Sequence, residues 1–180
     1  MSGNINLKFK KEKDYQEFCN LFKDIPLKND YITLKYDLGD EAYDPIENQR
    51  TVCYLNLSYH NYKRIISFEY PYSDCHSAFC FYLAKELSKK YSILVDWDSG
   101  AWKPAKDFFS HFKRNYQSSI VFELGGYKFE KEIDTDSLIK NTEDPFKERL
   151  EMCIKIEDNL RDIVCPGFFE NNKFKEYIWK

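Results

Sequence analysis

The chain has 180 residues, 43% of them apolar and 32% charged, a composition that is typical of a globular protein and excludes a disordered one. Its apolar runs are far shorter than the roughly 20 residues of a membrane helix, and it opens without an apolar leader. We therefore expect a cytoplasmic protein with no membrane partner and with its six cysteines reduced. Residues 37–50 and residues 119–180 each carry a net charge of −4, and these acidic regions disfavour nucleic acid as a partner.

The predicted elements begin with a strand, a helix and a second strand. Apolar residues alternate over 4–9 and again over 30–38, as they do in a strand with one buried face. Between these strands, over 11–26, apolar residues recur at helical spacing until Pro26 marks an end.

The middle of the chain predicts two more strands, a helix and a further strand. The strands cover 51–60 and 63–71, with a tight connection between them near Asn61. The helix covers 73–91, because a polar cap begins it and two lysines suit the negative end of its dipole. A buried strand over 92–97 follows.

The last third predicts mainly helices. A short helix is expected within 103–116, and a hairpin over 118–133 turns at Gly125-Gly126, since two glycines supply the positive φ angles of a two-residue turn. A long helix over 145–164 and a short one within 171–180 complete the chain.

This order of elements predicts an α+β fold. A β-α-β-β-β-α-β core is expected to form a ferredoxin-like antiparallel sheet with one extra strand and helices on one face. We expect a single domain over 1–180, with the sheet core in 1–133 and a helical C-terminal segment in 134–180.

The stretch "DWD" places Asp96 and Asp98 at the end of a predicted strand. Residues two apart on a strand share a face, so two carboxylates there could hold a divalent cation in a metal-dependent enzyme. The simpler interpretation is that both side chains bond local backbone in the turn that "DSG" announces. No third ligand lies near them in sequence, so we predict no metal and no cofactor.

The spacing of the cysteines and histidines favours neither a thiol nucleophile nor a zinc site. Cys75 and Cys80 stand five apart on a predicted helix and face apart, and His76 adjoins Cys75, where helix neighbours are not expected to meet. The histidines are scattered, and no nucleophile-elbow, phosphate-loop or zinc-protease motif is present. We therefore predict no catalytic residue.

Two short stretches, "YHNYKR" and "KFKEYIWK", interleave aromatic and basic residues. Aromatic rings stack on nucleobases and cations meet phosphates, so a nucleic-acid-binding ferredoxin-like module is an alternative function. The glycine-aromatic signature of the RNA-binding form of that fold is absent.

Residues 37–50 form an acidic loop with five acidic residues and one basic residue. This loop is either a solvated connection, a docking edge for a basic protein or, least favoured, a metal site. As a docking edge it would use acidic side chains with a tyrosine anchor among them, and Asp96 and Asp98 would join it if the sheet order allows. The predicted partner-binding residues are Asp37, Asp40, Glu41, Tyr43, Asp44, Glu47, Asp96 and Asp98.

The stretch "SAFCFYLAKELSKKYSILVDWDSGAW" resembles the small α+β immunity proteins of bacterial polymorphic and contact-dependent toxin systems. A helix containing "LAKEL" leads there into a strand that ends in an Asp-rich turn with a glycine. The resemblance implies a non-enzymatic inhibitor that binds one cognate toxin and blocks it. We therefore predict a protein toxin, or another basic protein, as the partner.

Overall fold

A computed structural model describes residues 2–38, 43–44, 49–50, 52–71, 74–111, 140 and 146–180. The strands are β1 (Ser2–Phe9), β2 (Ile32–Asp37), β3 (Tyr43–Asp44), β4 (Gln49–Arg50), β5 (Val52–His60), β6 (Ile65–Pro71), β7 (Ile93–Trp97) and β8 (Lys103–Pro104). The helices are α1 (Glu12–Asn20), α2 (Asp74–Lys90), α3 (Ala105–His111) and α4 (Phe146–Ile163), with 3₁₀ turns at Asn61–Lys63 and Lys173–Tyr177.

Six strands form one antiparallel sheet in the order β2-β5-β6-β1-β7-β8. The first strand of the chain therefore lies inside the sheet, between β6 and β7. Strands β3 and β4 pair only with each other, in a separate two-stranded ladder. The predicted α+β fold with an antiparallel sheet is confirmed.

Side-chain alternation gives the sheet one buried face. Along β1, Ile5, Leu7 and Phe9 are fully buried, while Asn6 and Lys8 between them point to the other face and stay partly exposed. The register continues this division, because Leu7 lies opposite Ile66 on one side and Val95 on the other. The second face therefore carries polar side chains, and we call it the polar face.

The helices and the C-terminal segment pack on the buried face. Phe18 of α1 stacks on Phe9 of β1 at a ring-centroid distance of 5.8 Å. Phe18 also meets Phe169 edge-on at 5.3 Å. Leu160 of α4 and Phe174 of the last 3₁₀ turn belong to the same buried cluster. The described part of the C-terminal segment thus shares one core with the sheet.

The predicted elements differ from the observed ones mainly at their ends. Helix α1 ends at Asn20 because the amides of Leu21 and Phe22 bond three residues back, in 3₁₀ fashion. The last element is a 3₁₀ turn, and the backbone N–H of Trp179 then donates to the Thr33 carbonyl on the β2 edge, at 2.9 Å. The hairpin predicted over 118–133 lies outside the described residues. Within the described part of the chain, no helix is both long and apolar enough to cross a membrane.

Candidate functional site

Asp96 is bound within its own turn. Its side chain is 8% exposed, and its Oδ1 accepts hydrogen bonds from the Ser99 hydroxyl at 3.0 Å and the Ser99 backbone N–H at 3.3 Å. This is the local backbone bonding of an aspartate that closes a turn. The carboxylate therefore stabilises the end of β7.

Asp98 is bound to the neighbouring strand. Both of its carboxylate oxygens accept from the backbone N–H of Asn4 at 3.0 Å. Its φ of +49° is a left-handed conformation that aspartate tolerates better than most residues. The predicted local bonding is therefore confirmed for Asp96 but is wrong for Asp98, whose partner Asn4 lies 94 residues away in sequence. Among the residues that the structure describes, no three His, Cys, Asp or Glu side chains are grouped so that they could hold a metal.

The sheet order separates the two aspartates from the acidic loop. Asp37 ends β2, while Asp96 lies on β7, and β5, β6 and β1 stand between them. Four strand spacings of about 4.8 Å amount to roughly 19 Å across the sheet. Asp96 and Asp98 thus lie four strands away from the described start of the loop, and their part in a shared contact surface stays a prediction.

The acidic loop is described only in part. Asp37 is exposed at the end of β2, opposite Val52 of β5. Tyr43 pairs with Arg50 and Asp44 with Gln49 in the β3–β4 ladder. The predicted contact residues Asp40, Glu41 and Glu47 lie outside the described residues.

Cys75 and His76 do contact each other, and the expectation that adjacent helix residues would not meet is wrong. The Cys75 Sγ is 3.4 Å from the His76 Nδ1, and both residues are more than nine-tenths buried. They lie in the first turn of α2, where side chains can fold toward each other. Cys75 also lies beside the Cys53 thiol of β5. Burial and the adjacent Cys75 raise the pKa of the Cys53 thiol, whereas a thiol nucleophile needs a lowered pKa.

The two aromatic-basic stretches lie at different places on the sheet. In the C-terminal one, Trp179 is 55% exposed beside the β2 edge, and the Lys35 Nζ lies 4.8 Å from its ring centroid. The other, residues 59–64, covers the end of β5, the 3₁₀ turn and Arg64. The Trp179 ring lies 6.4 Å from the ring of Tyr54 on β5, and six residues or roughly 20 Å separate Tyr54 from His60 along this strand.

The turn between β5 and β6 borders a groove of about 530 Å³ on the polar face. We call this groove the turn groove. Its lining residues are Asn6, Tyr59, His60, Asn61, Tyr62, Lys63, Ile65, Ser67 and Trp102. They come from β1, β5, β6, the 3₁₀ turn and the segment before β8, and none of them is acidic.

The groove floor is made of bonded polar side chains. The Ser67 hydroxyl donates to the Asn6 Oδ1 at 2.6 Å across the β1–β6 pair. The amide nitrogen of Asn6 has two N–H donors that a polar ligand at the floor could bond. Above it, Trp102 is 38% exposed, and the Lys8 Nζ lies 5.9 Å from the centroid of its ring.

The turn that forms one groove wall is fixed from beneath. The Tyr15 hydroxyl donates to the Asn61 Oδ1 at 2.7 Å, and burial is the main cause that raises the pKa of this hydroxyl. Arg64 closes the turn with a φ of +53°, and its carbonyl accepts from the Phe9 backbone N–H at 3.0 Å. The ring of Tyr62, in contrast, is fully exposed.

Sequence reasoning singled out "YHNYKR" but missed its companions Asn6, Ser67 and Trp102. Pairing of β1 with β6 and β7 brings these residues to the turn, and no local pattern announces such pairing. Comparison of the chain with protein-family models, with curated proteins and with solved structures finds no match.

Proposed function

We propose that this chain is a non-enzymatic protein that binds a protein partner and inhibits it, as immunity proteins do with their toxins. The observation that carries the proposal is the position of residues 37–50. They begin at an exposed Asp37 where β2 ends, carry five acidic residues and one basic residue, and contain their own paired ladder. A cluster of negative charge that lies partly in the β3–β4 ladder suits recognition of a basic protein surface.

The hydrogen bonds of the two "DWD" carboxylates support a binding role for this protein over a catalytic one. A catalytic or metal-binding carboxylate must reach its substrate or ion. Asp96 instead accepts hydrogen bonds from Ser99, and Asp98 accepts one from Asn4. In the proposed mechanism the acidic loop steers association, and the bound chain then covers the working surface of its partner.

The test is a kinetic one, on a partner isolated by affinity capture and then purified. The triple variant Asp40→Asn, Glu41→Gln, Asp44→Asn is expected to slow association and to flatten its dependence on salt. The matched control is Glu148→Gln, Glu151→Gln, Asp162→Asn, which removes three charges from the exposed side of α4.

Equal association rates for the two triple variants would remove the loop from the interface. Inhibition itself is measured by titrating the purified partner's activity with the chain. A partner that binds the chain but keeps full activity would contradict the inhibitor function.

We further propose that the core is ferredoxin-like with β2 as an added strand. The support is that β7, β1, β6 and β5 are successive neighbours in the sheet. Helix α1 follows β1, and α2 connects β6 to β7. Under this proposal β2 is an insertion between α1 and β5, and its deletion together with the acidic loop leaves five strands in the order β5-β6-β1-β7-β8. Retained strand signal in the circular dichroism of such a deletion is the expected result.

A further inference from the structure

The turn groove combines three kinds of side chain. Tyr62 and Trp102 supply exposed aromatic rings, Asn6 and Ser67 supply a polar floor, and Lys63 supplies a cation. A volume of about 530 Å³ lies within the range of small-molecule sites.

We propose that the turn groove binds a nucleotide, meaning a planar base that carries one or more phosphates. The base stacks on an exposed ring and bonds the amide and hydroxyl of the floor, while the phosphate lies toward the lysines. This inference goes beyond the inhibitor function and does not depend on it.

Charge placement at this end of the sheet is compatible with an anionic ligand, since Lys63 lies in the lining and Lys8 stands beside Trp102. Asp96 lies opposite Asn6 on the same face, but it is only 8% exposed and accepts from the Ser99 hydroxyl. Glu69, farther along β6, accepts from the Ser2 hydroxyl at 3.2 Å. The acidic loop begins at the far end of β5, eight residue steps or roughly 27 Å away. Salt screens charges over roughly 8 Å, so the loop does not repel a phosphate here.

The small number of cations decides between one nucleotide and a long contact with nucleic acid. A protein that grips a strand along its backbone needs several clustered lysines and arginines, and the net charge of −3 opposes that. The two lysines, Lys8 and Lys63, match one or two phosphates. The nucleotide can be free in solution or can be an unpaired nucleotide in a strand, and the test distinguishes these sources.

Preorganisation also supports a site. The bonds from Tyr15 to Asn61 and from Phe9 to the Arg64 carbonyl hold the turn from beneath. Its left-handed Arg64 is a strained conformation for a residue other than glycine, and such strain is often kept at binding sites. The wall therefore need not order itself on binding, which favours affinity.

The experiment is calorimetric titration of the purified chain with AMP, with UMP and with a twelve-nucleotide single strand. Tyr62→Ala removes a fully exposed ring, and it is expected to weaken binding roughly 5- to 150-fold, the range for losing one stacked base. Lys63→Gln is expected to weaken the binding of the nucleotides but not the binding of the corresponding nucleosides, which lack the phosphate. Trp179→Ala, which removes the other exposed tryptophan with a lysine beside it, is the matched control and is expected to change nothing.

Either source of the ligand supports the proposal. Similar affinity for UMP and for the strand assigns free nucleotides, and at least tenfold tighter binding of the strand assigns nucleic acid. No heat with any of the three ligands overturns the proposal, as does an equal effect of Tyr62→Ala and Trp179→Ala. Binding of a glutamate-rich peptide without nucleotide binding would also overturn it and make the groove a peptide site.

Discussion

Both carboxylate oxygens of Asp98 accept a hydrogen bond from the backbone N–H of Asn4, at 3.0 Å each. The ladder between β1 and β7 has its last pair at Ile5 and Trp97, so Asn4 lies one residue beyond it. The side chain of Asp98 thereby provides the acceptor that a longer β7 would have offered from its backbone. This aspartate extends the sheet and is expected to contribute to stability.

Asp98→Ala is expected to lower the free energy of unfolding by about 1–2 kcal/mol. The substitution removes the charged carboxylate that accepts from the Asn4 N–H, and it places alanine at a positive φ. Both changes destabilise the native state. Asp98→Asn should lose less, because asparagine tolerates this φ and keeps an oxygen acceptor. Urea unfolding measures both, with Asp162→Ala, an exposed residue of α4, as the control. A loss no larger than that of the control would show that the bond does not stabilise the fold.

Phe169→Ala is expected to cost roughly 3–5 kcal/mol of unfolding free energy. Phe169 is 2% exposed and packs on Phe18 and Phe174, so its truncation opens a cavity between α1 and the C-terminal segment. Trp179→Ala, at a side chain that is half exposed, is expected to cost less than about 1 kcal/mol. Equal costs in chemical unfolding would contradict the place of the C-terminal segment in the core.

The Glu17 carboxylate is expected to contribute a small, pH-dependent stability. The pKa of this group lies below its ordinary value of 4.5, mainly because of the ion pair with Lys90. The Tyr91 hydroxyl, which donates to Glu17 at 3.1 Å, lowers the pKa further. A lowered pKa in the folded state means that the contribution is complete above pH 4.5 and is lost as the pH falls through the folded value.

Thermal unfolding of the wild type and of Glu17→Gln between pH 2.5 and 7 measures this contribution. The two melting temperatures should differ at neutral pH and converge in acid. Because both partners are partly exposed, the difference at pH 7 should correspond to no more than about 1 kcal/mol. A constant difference across the whole range would contradict the ion pair as its source.

Thiol reactivity is expected to follow burial. Cys80 is fully buried, and desolvation raises the pKa of its thiol well above the ordinary value. Burial also raises the pKa of the Cys53 thiol, which lies beside Cys75. Brief alkylation of the native protein at pH 8, read by peptide mass spectrometry, should therefore modify the partly exposed Cys165 well before either of them. Rapid labelling of Cys53 would contradict its burial on β5 beside Cys75.

The main elements could be predicted from sequence because each depends on a local pattern. Alternation over 4–9 and helical spacing over 73–91 fix which side of each element is apolar, and the observed β1 and α2 follow these patterns closely. The turn at Asn61 and the bonding of Asp96 were also predictable, because both depend on residues close in sequence. The bond from Asn4 to Asp98 was not, because it joins residues 94 apart in sequence.

The neighbours of each strand were decided only in the tertiary structure. An apolar face can be buried beside any strand of matching pattern, so the choice of β6 and β7 as partners of β1 depends on the packing of the whole core. That choice separates Asp37 from Asp96. It also brings Asn6, Ser67 and Trp102 to the turn at 59–64, and thereby creates the groove. The sequence by itself determined the faces of the elements, and long-range pairing decided which residues became neighbours.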